Sequence, residues 1–354
     1  MTGRNATGRA AGIGSAIAAV SARVRRFALT AGLVSAMALI SGCMSMNLED
    51  LDGAAPEIPA KLVREMKARG MRPESPVLVR IFKKESELEV WKQDASGRYA
   101  LLKTYPMCRW SGKLGPKMKA GDRQAPEGFY HVSAGMLNPK SQFYLSFNLG
   151  YPNRLESALG YTGEALMVHG ACSSSGCYAM TDQGISEIYA VVNTALKGGQ
   201  AQFQVQAFPF RMTPKNMAEN RADPNYGFWR DLKVGYDSFE LNRRQPKVSV
   251  CGRRYVFDQL FAGGEPTDPL AACPPALGGP DPRIAAKQAA DEEKVADLLS
   301  DGAPATLHAY SDGGMHRSFR LLLEQKGADR LASSVSKRKY PVSRPDAALA
   351  DPYR

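Results

Sequence analysis

A period of two limits the fold of this chain more than any other feature. From Val77 to Ala207, apolar residues recur at alternate positions in short runs: Val77, Val79 and Ile81; Leu88 and Val90; Tyr99 and Leu101. Side chains that alternate faces belong to strands, so these runs predict antiparallel strands, with Asp94-Ala95-Ser96-Gly97 as the turn between the last two. Phe129 to Val132 and Tyr144 to Phe147 are further candidate strands. They sit in a stretch, Cys108 to Pro152, that is otherwise rich in Gly, Pro and Lys and reads as a lid over a site. Ala165 to Val168 reads as a short buried strand that delivers His169 to its end. Gln202 to Ala207 alternates strictly and predicts a strand with one wet face.

Helical spacing is confined to a few places. Ile58, Leu62 and Met66 share one face of a brief helix that stops at Gly70. Ile185, Ile188, Tyr189, Val192, Ala195 and Leu196 mark a second helix, ended by Gly198-Gly199. Lys215 to Leu232 reads as helical in parts, Lys247 to Phe257 as one more strand, and Arg283 to Leu299 as a polar helix. The expected fold class is therefore mainly β with a few helices (α+β), an antiparallel β-sandwich or open barrel with its site at one edge beneath a lid. The expected division is 1–42 signal peptide, 43–76 tether and short helix, 77–213 catalytic domain, 214–257 helical and strand extension, and 258–354 a low-complexity, partly disordered region.

The amino terminus sets the compartment. A basic stretch ending Arg23-Val24-Arg25-Arg26 precedes Phe27 to Ile40, an uncharged run of fourteen residues, then Ser41-Gly42-Cys43. At a 1.5 Å rise that run covers about 21 Å, short of the roughly 30 Å of a bilayer core, so a removable export signal is expected and a permanent span is not. The end Ile40-Ser41-Gly42-Cys43 resembles the bacterial lipobox, which implies lipidation of Cys43 and a membrane anchor. Met44 after it points to the outer membrane of a Gram-negative envelope, on the periplasmic side. The formal charge of +11 draws five cations from this leader, which holds no acid. No basic cluster interleaved with aromatics occurs, so nucleic acid is not an expected partner.

Export permits disulfides. Cys108, Cys172, Cys177, Cys251 and Cys273 remain after the lipidated cysteine, and an odd count leaves at least one thiol free or paired with another chain. The other four allow three pairings. Cys251–Cys273 and Cys108–Cys172 are favoured here, although sequence alone does not choose.

The chemistry concentrates in Met167-Val168-His169-Gly170-Ala171-Cys172-Ser173-Ser174-Ser175-Gly176-Cys177-Tyr178-Ala179-Met180. One tight loop can bring His169, at a strand end, within reach of Cys177, just ahead of a helix. A thiolate–imidazolium pair is expected, with the helix N-terminus lowering the thiol pKa further. Gly176 lets the chain turn sharply, so that N–H groups around Cys177, in the loop of Ser175, Gly176 and Tyr178, face a developing oxyanion. A Cys172–Cys177 bridge and a zinc site using His169, Cys172 and Cys177 are the competing readings. The odd cysteine count opposes the first, and the lack of an evident fourth ligand opposes the second. His131 reads as a partly buried structural residue, and Arg109, Lys113, Lys117, Lys119 and Arg123 as a solvated charge run. His308, Asp312 and His316 beside Gly313-Gly314 read as turn chemistry.

His-Gly, a short loop and Ser-x-Gly-Cys-aromatic-Ala-Met, preceded by Gly121-Asp122-Arg123-Gln124-Ala125-Pro126-Glu127-Gly128-Phe129-Tyr130, resemble the L,D-transpeptidase (YkuD-type) catalytic domain, in its YafK-like branch, from about Val77 to Met212. Ser175 stands where the broader family has a second His, and Ala179 where it has Asn. The resemblance implies Cys177 as nucleophile, His169 as base, and the Gly170 carbonyl as the group that orients the imidazole. It places Arg123, Pro126, Gly128 and Tyr130 along the substrate groove. It also implies acyl transfer on peptidoglycan stem peptides through a thioester, in wall remodelling and cell shape, with no metal, nucleotide or other cofactor. The expected partners are stem peptides, the membrane through Cys43, and a Braun-type lipoprotein as acceptor. A hydrolase that releases such a lipoprotein, and a non-catalytic wall-binding lipoprotein, remain the alternatives.

Overall fold

The computed structural model describes residues 55–279, 281–303 and 313–335. The leader with Cys43, His308 with Asp312, and the tail from 336 lie outside the described residues. Ala60–Ala68 forms α1, which buries Leu62 and Met66. Two five-stranded sheets follow. The first runs β3-β2-β1-β10-β5, from β1 (Val77–Phe82), β2 (Glu87–Gln93), β3 (Tyr99–Pro106), β5 (Gly128–Ser133) and β10 (Gln202–Phe208). The second runs β4-β9-β8-β7-β6, from β4 (Arg109–Trp110), β6 (Leu137–Asn138), β7 (Ser146–Asn148), β8 (Met167–His169) and β9 (Tyr178–Ala179). A short helix, α2 (Arg154–Ala158), lies between β7 and β8, and α3 (Asp182–Lys197) between β9 and β10.

The fold is α+β with sheets predominating, as expected, and its pairing is antiparallel except at two pairs. β1 runs parallel to β10 and β8 parallel to β9. Period-two patterning reports which face a side chain takes, not which way the neighbouring strand runs. The main core joins the inner face of the first sheet (Val77, Val79, Ile81, Phe203, Val205) to Phe147 and Val168 of the second and to Ile185, Ile188 and Val192 of α3. Phe147 and Phe203 meet edge-on at 5.5 Å across the two sheets. Fully burying each such side chain contributes roughly 1.5–3 kcal/mol.

The wet face expected for β10 is in fact dry. Gln204 and Gln206 are fully buried, with Gln204 Nε2 donating to Pro246 O at 3.1 Å and Gln206 Nε2 to Gln204 Oε1 at 2.8 Å. The cover is α5 (Tyr226–Asn242), which follows α4 (Pro214–Glu219). Under α5, the Arg80 guanidinium lies 4.5 Å from the Tyr236 ring centroid and 4.8 Å from that of Phe239, and it pairs with Glu240 at 2.5 Å. The last strand expected at Lys247 to Phe257 is a hairpin, β11 (Val248–Cys251) with β12 (Arg254–Phe257), fastened by Cys251–Cys273.

Beyond Asp258 the described residues hold three helices, one of them the polar helix expected at Arg283 to Leu299. The helix α6 (Pro282–Ser300) is present, and α7 (Arg317–Lys326) and α8 (Ala328–Val335) complete the described residues. Gly314 bridges Trp110 and so extends the edge of the second sheet at β4. Met315, Phe319, Leu323, Leu331 and Val335 pack on Cys108, Cys172 and Ala179 as a second core. No helix among the described residues is long and apolar enough to cross a membrane.

Candidate active site

The strand β8 ends on His169, and the next three peptides are fixed from several sides. Gly170 N donates to Phe143 O at 3.0 Å and Leu145 O at 3.2 Å, and Ala171 N donates to Asp182 Oδ1 at 2.8 Å. A Cβ on Gly170 would stand 2.8 Å from that same carboxylate oxygen, so only glycine fits. Cys172 is bonded to Cys108, which anchors the loop to the second core; Cys177 is the free cysteine among the described residues. Gly176, at φ +120°, turns the chain into Cys177 and β9.

The parallel register pairs Val168 with Tyr178 and His169 with Ala179. Cys177 therefore lies alongside Met167, two residues short of His169. With strands about 4.8 Å apart and about 6.6 Å of rise over two residues, the two Cα atoms are about 8 Å apart on the diagonal. The thiol contacts match this placement: Met167 N donates to Cys177 Sγ at 3.4 Å, and the thiol makes a long contact to Ala165 O at 3.9 Å. By the register the two side chains lie on the same face of the sheet, two residues apart, and they are not hydrogen-bonded to each other at rest. Catalytic hydrogen bonds often tighten only once substrate is bound.

His169 Nδ1 lies 2.7 Å from Gly170 O. A carbonyl only accepts, so Nδ1 carries the proton and Nε2 is left as the free base. The Phe143 ring covers the imidazole at 4.9 Å, and burial pushes the His169 pKa down to about 4, against the opposing pull of the Gly170 carbonyl. Burial also pushes the Cys177 thiol up; the Met167 N–H and the Lys117 ammonium pull it back in part. The resting pair is thus neutral imidazole and thiol, not the expected thiolate–imidazolium. At the start of α3, Thr181 Oγ1 accepts from Gly184 N at 2.9 Å and Asp182 Oδ1 from Ala171 N.

Lys117 is the cation that acts on the thiol. Only 4% exposed, it lies along Gly163, two residues before the Ala165 carbonyl that the thiol touches. Its ammonium donates to Asp122 Oδ1 at 2.5 Å and Lys119 O at 2.8 Å. In sequence it is one of a run of lid cations, and nothing there separates it from exposed Lys113, Lys119 and Arg123.

A family model for the L,D-transpeptidase catalytic domain, YkuD, matches residues 76–205. The Escherichia coli protein named "Putative L,D-transpeptidase YafK" is 48% identical over 182 residues, covering 51% of this chain and 74% of the relative. The chain belongs to the L,D-transpeptidase family. Among solved structures, the helical cell shape determining protein Pgp2 of Campylobacter jejuni is 17% identical, with 53% of this chain and 78% of that one covered at a TM-score of 0.32. Bd1075 of Bdellovibrio bacteriovorus is 16% identical, with 55% and 80% covered at 0.28. Likeness at that level carries nothing about the reaction.

In this L,D-transpeptidase family member the loop donors are arranged otherwise than its sequence predicts. Gly176 N donates to Ser111 Oγ, and Cys177 N to Ser174 Oγ at 3.2 Å. The two hydroxyls lie 3.0 Å apart, and Ser174 Oγ donates to Cys177 O at 2.7 Å. Within the loop expected to meet an oxyanion, the Gly176 and Cys177 N–H groups are therefore taken by buried serines. Ser175 is exposed, and Tyr178 is buried with its hydroxyl donating to Pro126 O at 2.5 Å, which ties β9 to the lid. Ser111 escapes sequence reasoning because it lies far from the motif; Ser174 is inside it but looks like any loop serine.

The expected groove residues divide. Arg123 is exposed at φ +57°, and its backbone comes within 3.9 Å of where a Cβ on Gly176 would be, so the lid borders the nucleophile loop. The side chains of Pro126 and Tyr130 are buried, and Gly128 is enclosed by Tyr130 and Tyr255. Tyr130 donates to Glu156 Oε1 at 2.6 Å, so this segment is packed into the interior. His131 is half-buried on β5, 3.5 Å from Gln204 Nε2, in the sheet that does not carry Cys177. Among the described residues no cluster of His, Cys, Asp and Glu is arranged to hold a metal ion.

Proposed function

We propose that this chain is an envelope cysteine acyltransferase acting on peptidoglycan stem peptides through a thioester on Cys177. The observation that carries the reading is a free thiol one diagonal away from a buried imidazole whose Nδ1 is locked on Gly170 O, in a chain 48% identical to YafK. Cys177 Sγ attacks the peptide carbonyl while His169 Nε2 takes the thiol proton. The C–N bond breaks, and the same proton leaves on the departing amine. A second stem's amine or a water molecule then attacks the thioester, giving a cross-link or a shortened stem and restoring the thiol.

Because both partners rest neutral, the thiol proton passes to His169 Nε2 as the reacting groups approach during attack. Lys117 is placed to stabilise the thiolate at that moment. The export leader, the lipobox-like Ile40-Ser41-Gly42-Cys43 and two disulfides support a lipid-anchored protein on the periplasmic side of the outer membrane. Purified protein incubated with tetrapeptide muropeptides is expected to release the terminal residue and yield new products, and Cys177→Ala to abolish both. Turnover retained in that variant excludes the mechanism. The product mass reports whether an amine or water resolves the thioester.

A further inference from the structure

A cleft of about 310 Å³ opens between α5 and α6, bounded by α4 and β12 and distinct from the Cys177 site. That volume is in the range of small-molecule sites. Met217, Val234 and Val295 supply its apolar wall. Its floor is electrically settled: the Lys233 ammonium bonds Asp237 Oδ2 at 2.5 Å and Asp291 Oδ2 at 2.6 Å, and Lys287 closes the quartet on Asp291 at 2.6 Å. At the rim, Arg230 and Glu292 pair with each other at 2.9 Å.

Two charges facing the cleft are not settled. Asp231, half-buried on α5, and Arg254, exposed on β12, both line it. Among the described residues neither side chain makes a hydrogen bond or a close ion pair, although the Arg254 and Arg230 charges act on Asp231 from a distance. Burial pushes the Asp231 pKa up and the Arg254 and Arg230 charges offset it only in part, so this half-buried carboxylate keeps hydrogen-bonding capacity toward the cleft.

We propose that this cleft binds a small zwitterion of amino-acid or dipeptide size, its carboxylate on Arg254 and its ammonium on Asp231. A simple anion would answer Arg254 but face Asp231, and a simple cation the reverse. A molecule carrying both charges satisfies both groups, while the neutral floor favours neither sign. Arg254 offers a planar fork for a carboxylate. The site needs nothing from the thiol and stands apart from the reading of Cys177.

Calorimetric titration of the full chain with L-alanine, D-alanine and their dipeptides tests this directly. Saturable binding is expected for at least one of them, and none for N-acetylalanine, which lacks the ammonium, or alanine amide, which lacks the carboxylate. Asp231→Asn and Arg254→Met are each expected to weaken binding at least tenfold, and Cys177→Ala to leave it unchanged. Arg254 is exposed, so its variant tests the site without threatening the fold. No saturable binding by any zwitterion, equal binding of the blocked analogues, or affinity indifferent to both variants overturns the proposal.

Discussion

At the scale of single residues, the site is held in a neutral resting state whose consequences can be measured. His169 has a folded pKa of about 4 against roughly 6.5 for a free imidazole, so between those values the unfolded chain binds more protons than the folded one. Stability is fully present above pH 6.5 and falls as pH drops through that window, by up to about 3 kcal/mol. Denaturant midpoints from pH 7 to pH 4 should show the loss, and His169→Gln should flatten it. Lys117 governs the other partner. Removing its charge raises the Cys177 pKa, so Lys117→Met should slow iodoacetamide alkylation several-fold at fixed pH, while Lys117→Arg keeps the rate near that of the parent. Unchanged alkylation in Lys117→Met removes Lys117 from the account. The identities of Cys177 and His169 were legible in sequence because spacing and residue type encode them. Their protonation was not, since it depends on Phe143 and Lys117, which chain order leaves far away.

At the scale of elements, the nucleophile loop is braced by hydroxyls from two segments. Ser111, just past β4, accepts from Gly176 N, and Ser174 accepts from Cys177 N. Ser111→Ala leaves a buried N–H without a partner, a loss of about 1–3 kcal/mol. Turnover of muropeptides should be lost through a lower kcat with KM little changed, because the loop that carries the nucleophile is misplaced, and a rise in KM alone counts against this role. β4, β6 and β9 of the second sheet are two residues each and too short to show a period. In the first sheet β1, β2, β3 and β10 followed from period-two patterning, and α3 from its helical spacing. The direction of β8 against β9 did not, although it places Cys177 beside β8. Nor did the dryness of Gln204 and Gln206, because α5, which covers them, is a separate segment of the chain.

At the scale of the whole molecule, residues 313–335 are part of the domain that holds the site. Gly314 extends the second sheet at Trp110, and Phe319 and Leu323 pack on the Cys108–Cys172 disulfide that anchors the His169 loop. Composition predicted a loosely ordered region here, because the few apolar residues involved are sparse in sequence and converge only in space. Gly313 sits at φ +80°, where an added Cβ would collide with Trp110 O. Gly313→Ala should therefore undock the segment, seen as faster hydrogen exchange across α7 and α8 and a lower melting temperature. Equal exchange in the two proteins contradicts that coupling. The most direct test of the central claim is mass spectrometry of protein quenched during turnover of a tetrapeptide muropeptide. The account predicts a stem-peptide adduct, labile to hydroxylamine, that maps to Cys177 and is missing from Cys177→Ala; undiminished turnover with no adduct on that cysteine contradicts it.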